Sequence, residues 1–214
     1  MTSRYDVSGA EGEFEPGSDG RVLRNRVGIR SPEDMEALEL HLLGELYGDV
    51  LTRRFLDREI TVADLKYWHR MWLGNVYSWA GEERSVNLGK EGFQFATARL
   101  IPELLRNFEL QCLSRWRPGG DSTFEDLAEA IAITHVELIL IHPFRDGNGR
   151  LARLLADVMA VQAGQDLLDY TEWEKQKSGY VAAIHAGAAG NYAPMTKLVI
   201  AAMKKGGGDL TAPA

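Results

Sequence analysis

Cysteine is almost missing: the 214 residues hold one, Cys112. That excludes an intramolecular disulfide and a cysteine zinc cluster, and leaves Cys112 as a small buried hydrophobe. Also lacking is any apolar run of the roughly 20 residues that span a bilayer. The N-terminus, "MTSRYDVSGAEGEFEPGSDG", has acids and glycines but no apolar signal core. A cytoplasmic protein without membrane contact is therefore expected, with non-classical secretion left open. Positive charge is in deficit, with 24 Lys and Arg against 31 Asp and Glu, a net −7. Direct nucleic-acid binding is not expected from this balance, and an anionic partner needs a local basic patch. No internal repeat occurs. What is present is a 45% apolar fraction, enough for the core of one medium domain.

Residues 1–28 are rich in Gly, Glu, Asp and Ser, show no period and read as a flexible N-terminal arm. Residues 205–214 read as a flexible tail. The domain lies between, over 29–204, and its signal is helical. Ser31 caps a first helix with Pro32 at its first position, and Leu38, Leu42 and Leu46 give its apolar spacing. Thr61 and Asp64 open a second, and a third covers 97–114. A fourth runs from Ser122, with Glu125 as its capping partner, to Ile141. Its second half, "AIAITHVELILI", is apolar on nearly every side, the pattern of a helix buried mid-domain. Further helices are expected over 149–163, 172–186 and 194–203. One segment departs from this period: runs at 85–88 and 93–95, separated by Gly89-Lys90-Glu91-Gly92, form a small hairpin by turn chemistry.

Chemistry is concentrated in "ILIHPFRDGNGRLARLL", residues 139–155, which links the fourth helix to the fifth. Gly147, Asn148 and Gly149 sit where the fifth helix begins. Unpaired N–H groups and about half a positive charge gather at such an end, and glycine lets backbone approach a ligand. Arg150 and Arg153, three apart, share the face one turn up. Two guanidiniums above a helix N-terminus suit a polyphosphate. Asp146 beside phosphates calls for a cation, and Mg²⁺ takes one or two carboxylates plus phosphate oxygens. His142 is the group here that accepts a proton near pH 7. By parts this is nucleotidyl or phosphoryl transfer to a hydroxyl.

Singly, these residues have bland readings: a structural histidine, a surface arginine, a turn. Their adjacency argues against that. "GNGRLA", with Asp166 and Asp169 further on, also fits a dinucleotide fingerprint if "VELILI" is a strand. Against this oxidoreductase reading, five residues intervene between run and glycines, and no later βαβ pattern follows. No Walker A loop is present.

His142-Pro143-Phe144-Arg145-Asp146-Gly147-Asn148-Gly149-Arg150, with Arg153, resembles the H-P-F-x-[D/E]-G-N-G-R-x-x-R motif of the Fic/Doc (Fido) family. "YSWAGEERSVN" and "YVAAIHAGAAGNYAPMTKL" look similar to flanking family segments, so the likeness covers about 35–203. It implies an all-α fold of about seven to eight helices with a β-hairpin flap. It further implies transfer of AMP from Mg-ATP to a Tyr, Ser or Thr hydroxyl of a target protein. By the resemblance His142 is the base, Asp146 holds Mg²⁺, Gly147, Asn148 and Gly149 form the anion hole, and Arg150 and Arg153 bind the outer phosphates. The flap, including Val86, Asn87, Leu88, Gly89 and Lys90, would pair with the target backbone and line the nucleotide. Tyr180 resembles an adenine-pocket tyrosine, with packing between helices as its other reading. Members with altered motifs transfer other groups; the intact Asp146, Asn148 and Arg150 favour AMP. Many members carry a self-inhibitory [S/T]-x-x-x-E-[G/N] helix whose glutamate meets the second arginine. Glu11-Gly12 and Glu91-Gly92 lack the required Ser or Thr. The expectation is a toxin-type protein whose Arg153 is met by a glutamate from a separate small antitoxin. A degenerate inhibitory helix within 31–55 is the alternative, and a non-catalytic nucleotide-binding module is a second function to separate.

Overall fold

A computed structural model describes residues 6–8, 13–90, 92–118 and 122–206. Eight α-helices carry the described part: α1 Pro32–Gly48, α2 Val62–Leu73, α3 Ile101–Gln111, α4 Phe124–Ile141, α5 Asn148–Gln162, α6 Thr171–Lys175, α7 Lys177–Ala188 and α8 Ala193–Lys205. Three short strands, β1 Asp6–Ser8, β2 Asn87–Lys90 and β3 Phe93–Gln94, make one antiparallel sheet in the order β1-β2-β3. The fold is all-α with a small sheet, as the helical periodicity requires. No helix among the described residues is long and apolar enough to cross a membrane.

α4 is the central element. Apolar on nearly every side in its second half, it packs against α3, α5, α7 and α8, and Ile131, Val136 and Leu138 are fully buried in it. α5 lies along it and buries Leu151, Leu154 and Val158. Two long buried helices therefore enter and leave the turn at residues 142–147, which gives that turn little freedom.

Local chemistry sets the helix starts. The Ser31 hydroxyl accepts the Asp34 N–H, and Thr61 with Asp64 forms a complete capping box. α4 begins one residue later than the sequence suggests. Thr123 is the cap and Asp126 its reciprocal partner, displacing the Ser122 and Glu125 pair. Asp is one methylene shorter than Glu, yet here both Thr123 groups reach it, at 2.7 and 3.0 Å. The helix expected over 172–186 is two helices joined at Gln176. The break sets Trp173 and Tyr180 around the buried His135.

The largest departure is at the N-terminus. Residues 13–28, expected within a flexible arm, form a hairpin on the domain. Phe14 bridges Leu23, Val22 is buried, and the Arg26 N–H donates to the Val76 carbonyl at 2.8 Å. Too few apolar residues lie here to show a period, but "PGSDG" between Phe14 and Val22 is turn chemistry. The remainder of the arm, residues 1–5 and 9–12, and tail residues 207–214 lie outside the described residues. β1 was likewise not expected from the sequence.

Candidate active site

His142 caps the C-terminus of α4 in the left-handed region, at φ 50° and ψ 60°. Its Nδ1 lies 3.0 Å from the Ile139 carbonyl. A carbonyl only accepts, so Nδ1 carries the proton and the basic lone pair is on Nε2. Burial pushes the imidazole down to about 3, with the Arg84 charge adding to the effect, so the ring is neutral at pH 7. Phe95, just past β3, stacks over the ring at 3.7 Å between centroids. Phe93 meets Phe95 edge-on and stacks on His185, which lines an open recess of about 480 Å³ on α7.

Two residues that motif reading passed over hold the turn. Arg84 is buried and behaves as a clamp. Its Nε donates to the His142 carbonyl at 2.7 Å, and Nη2 donates to Ala96 at 2.6 Å and to Ile141 at 3.3 Å. Nη1 donates to the Val86 carbonyl, and the Arg84 N–H to Pro143 at 2.8 Å. One guanidinium thus joins both roots of the hairpin to the end of α4, where a cation also suits the helix dipole. His69 is the second. The Gly81 N–H donates to its Nδ1 at 2.8 Å, so the proton is on Nε2, which donates to the Asp146 carbonyl at 3.0 Å. Its ring stacks on Phe144 at 4.0 Å, and burial pushes it down to about 4. Both residues lie in "HRMWLGNVYSWAGEER", a stretch whose polar residues interrupt an apolar face. A buried polar residue there is the sequence signal.

The rest of the motif is drawn together much as its spacing suggests. Gly147 sits at φ 83°, and a Cβ there would lie 2.7 Å from Trp72, so this position requires glycine. A Cβ at Gly149 would meet nothing within 4 Å, which is open space at the first turn of α5. Asn148 contributes differently from a side-chain anion donor. Its amide accepts from the Phe144 N–H at 2.9 Å and donates to the Phe144 carbonyl at 2.8 Å, so it staples the turn. Asp146 is buried, and its Oδ1 accepts the Gly147 N–H. Among the described residues no group of three or more His, Cys, Asp or Glu could hold a metal by itself.

Arg150 and Arg153 each meet a glutamate of this same chain. Arg150 Nη1 pairs with Glu39 of α1 at 2.7 Å, and its guanidinium lies 4.5 Å over the Trp72 ring. Arg153 pairs with Glu174 of α6 at 2.8 Å and lies over Tyr170. Arg153 therefore meets a carboxylate of its own chain, where the resemblance pointed to one from a separate antitoxin. No motif spacing points to Glu174; the fold brings it there from α6. Tyr170 in turn donates to Asp157, a buried carboxylate that Tyr47 also meets at 2.8 Å. Burial raises Asp157 to about 6. His135 Nδ1 faces the Ala152 carbonyl at 3.4 Å, so the Tyr180 hydroxyl donates to His135 Nε2 at 2.9 Å, and its ring stacks on Trp173. These are packing partners.

In the hairpin, Val86 and Leu88 are buried with the half-buried Phe95 packed on them, and the Asn87 side chain accepts the Ala98 N–H. Gly89 and Lys90 complete β2, opposite Gln94 and Phe93. The edge of β2 expected to receive a target strand pairs with β1, in the register Asp6 to Gly89, Val7 to Leu88 and Ser8 to Asn87. The dinucleotide reading fails on this geometry, because "VELILI" is the last part of helix α4, not a strand.

The family model described as Fic/DOC matches residues 59–160, from the start of α2 almost to the end of α5. These residues are a Fic/DOC family domain. The chain is 27% identical over 175 residues to the probable protein adenylyltransferase y4lH of Sinorhizobium fredii, covering 81% of this chain and 87% of that protein. The protein adenylyltransferase Fic of Nematostella vectensis is 33% identical over 129 residues, 56% of this chain and 29% of that protein. Many of the relatives are much longer, and this chain spans 35% of the VbhT adenylyltransferase of Bartonella schoenbuchensis. Among solved structures, BepC of Bartonella tribocorum with bound AMPPNP has a TM-score of 0.68 at 23% identity, over 84% of this chain and 91% of that one. That likeness is one of fold. The Fic/DOC domain here includes His69, Arg84 and the whole turn from His142 to Arg153, while Glu39 and Glu174 lie outside the matched range.

Proposed function

We propose that this protein transfers AMP from Mg-ATP to a Tyr, Ser or Thr hydroxyl of a target protein. The observation that carries this reading is His142: a neutral imidazole, locked with its lone pair on Nε2, at the mouth of a helix N-terminus flanked by two arginines. Relatives named protein adenylyltransferase support it. In the reaction, Nε2 takes the proton of the target hydroxyl as that oxygen bonds to the α-phosphorus. The bond from the α-phosphorus to the bridging oxygen breaks, and pyrophosphate leaves. General-base help of this kind contributes about 10²–10⁴ in rate. The first-turn backbone of α5 at Gly147, Asn148 and Gly149 holds the phosphate oxygens, and Arg150 and Arg153 bind the outer phosphates. Glu174 does not stand in their way: an exposed ion pair is worth about 0–1 kcal/mol and yields to a polyphosphate.

Mg²⁺ fits the donor set. A lone carboxylate, Asp146, close to a phosphate cradle is the protein share of a site whose other ligands are phosphate oxygens and waters. When bound, the ion would neutralise phosphate charge and orient the leaving group. Val86 to Lys90 would present an edge to an extended target segment once β1 gives way. A toxin role, with a separate antitoxin supplying a glutamate to Arg153 in competition with Glu174, belongs to the same reading.

The test is a lysate treated with the protein and ATP labelled in its α-phosphate. Labelled protein bands are expected, with His142→Ala abolishing them while Mg-ATP still binds. Unchanged labelling by His142→Ala removes His142 as base. Nucleotide binding with no transfer to any protein would instead favour the non-catalytic module.

A further inference from the structure

α1 carries a buried carboxylate that neither the motif nor the reaction uses. We infer that Glu39 is a positioning residue, which fixes the Arg150 guanidinium so that it presents Nε and Nη2 to the nucleotide phosphates. The inference rests on the reading of Arg150 as a phosphate ligand.

Glu39 sits on the inner face of α1, and a charge there needs partners on both oxygens. It has them. The Tyr77 hydroxyl donates to Oε1 at 2.7 Å, and Arg150 Nη1 meets Oε2 at 2.7 Å. Its backbone is held too, since the Trp72 indole N–H donates to the Glu39 carbonyl at 2.9 Å. The same Trp72 ring lies under the Arg150 guanidinium. Arg150 is therefore gripped by one amino group and by one ring face. Among the described residues, its Nε and Nη2 are buried and have no hydrogen-bond partner. Asp146 Oδ1, at 3.8 Å from Nη2, is beyond hydrogen-bond range.

Buried guanidinium donors without acceptors are costly, and an arriving anion that supplies the oxygens relieves that cost. A carboxylate acting as a plug would take those donors itself, in the two-pronged pairing that arginine and carboxylates favour. Glu39 instead approaches through Nη1 alone. The glutamate within 31–55 thus orients the arginine and leaves its phosphate-facing donors available.

The test compares wild type, Glu39→Gln and Tyr77→Phe as full chains, by calorimetric titration with Mg-ATP and by transfer kinetics. Glu39→Gln keeps the shape but loses the charge. It is expected to weaken Mg-ATP binding about tenfold and to raise KM for Mg-ATP, with KM for the target protein unchanged. Tyr77→Phe keeps the carboxylate and frees it to turn, with about a threefold loss expected in the same direction. If Glu39→Gln does not fold by circular dichroism, Tyr77→Phe carries the test alone. Equal or tighter Mg-ATP binding by the folded variants, or faster transfer, overturns the inference and makes Glu39 neutral or a restraint. Failure of the wild type to bind Mg-ATP is a separate result, which overturns the proposed function and the inference with it.

Discussion

Acidification from pH 7.5 to 5 is expected to remove about 4–5 kcal/mol of folding stability. Three histidines are buried in the neutral form: His69 and His135 at about 4, and His142 at about 3, against an ordinary 6.5. Folding lowers these values, so the unfolded chain binds protons first and stability falls as pH drops below 6.5. At pH 5 each unfolded imidazole has taken its proton and each folded one has not. The deficit is about 1.5 units at ~1.36 kcal/mol per unit, about 2 kcal/mol for each and about 6 for the three. Asp157 acts in the opposite sense. Its folded value of about 6 lies above the ordinary 3.8, so the native state binds this proton first and regains about 1.4 kcal/mol on the way to pH 5. Carboxylates held low by partners, such as Asp64 beside Arg58, titrate below this window. The assay is urea unfolding at both pH values. At an m of roughly 2–3 kcal/mol/M, the midpoint should fall by about 2 M urea at pH 5. A midpoint that is unchanged or higher at pH 5 would refute the picture of three neutral buried imidazoles, and with it the neutral form of His142 that the base role requires.

Two further substitutions probe the turn. Arg84→Lys keeps the charge but loses the planar fork that joins His142, Ile141, Val86 and Ala96. It should cost about 2–3 kcal/mol in urea unfolding and lower kcat at least about tenfold, with Mg-ATP affinity nearly unchanged. Wild-type kcat in that variant would show that the base is placed without the clamp. Gly147→Ala combines a positive φ with a Cβ 2.7 Å from Trp72. A loss of about 3 kcal/mol is expected, whereas Gly149→Ala, which meets nothing, should melt near wild type. Equal melting temperatures for the two variants would contradict the assigned backbone.

What the sequence reveals depends on how local the cause is. α4 and α5 are legible because their burial is written in their periodicity, and the turn between them because His142 to Arg153 is contiguous. Gly147 is legible as a turn glycine, but the reason for it, the Trp72 ring, lies 75 positions away and is visible only in three dimensions. Glu39 and Glu174 meet the two arginines through tertiary packing, and no spacing rule connects them. The hairpin at 13–28 is not legible for a different reason. Backbone hydrogen bonds hold it, and it buries one valine, Val22, too weak a signal against so polar a composition. Asn148 shows the limit of motif reading in the other direction. Its presence in the motif suggested a ligand contact, whereas its amide is occupied by Phe144.

His142 stands where glycine would be at ease. Outside glycine, the left-handed region costs roughly 1–2 kcal/mol, and His142 occupies it at φ 50° with its ring enclosed. An engineering campaign scored only on melting temperature would therefore favour glycine or asparagine at 142, gaining stability as it erased the base. Selection for a sturdier fold and selection for the reaction pull this one residue in opposite directions.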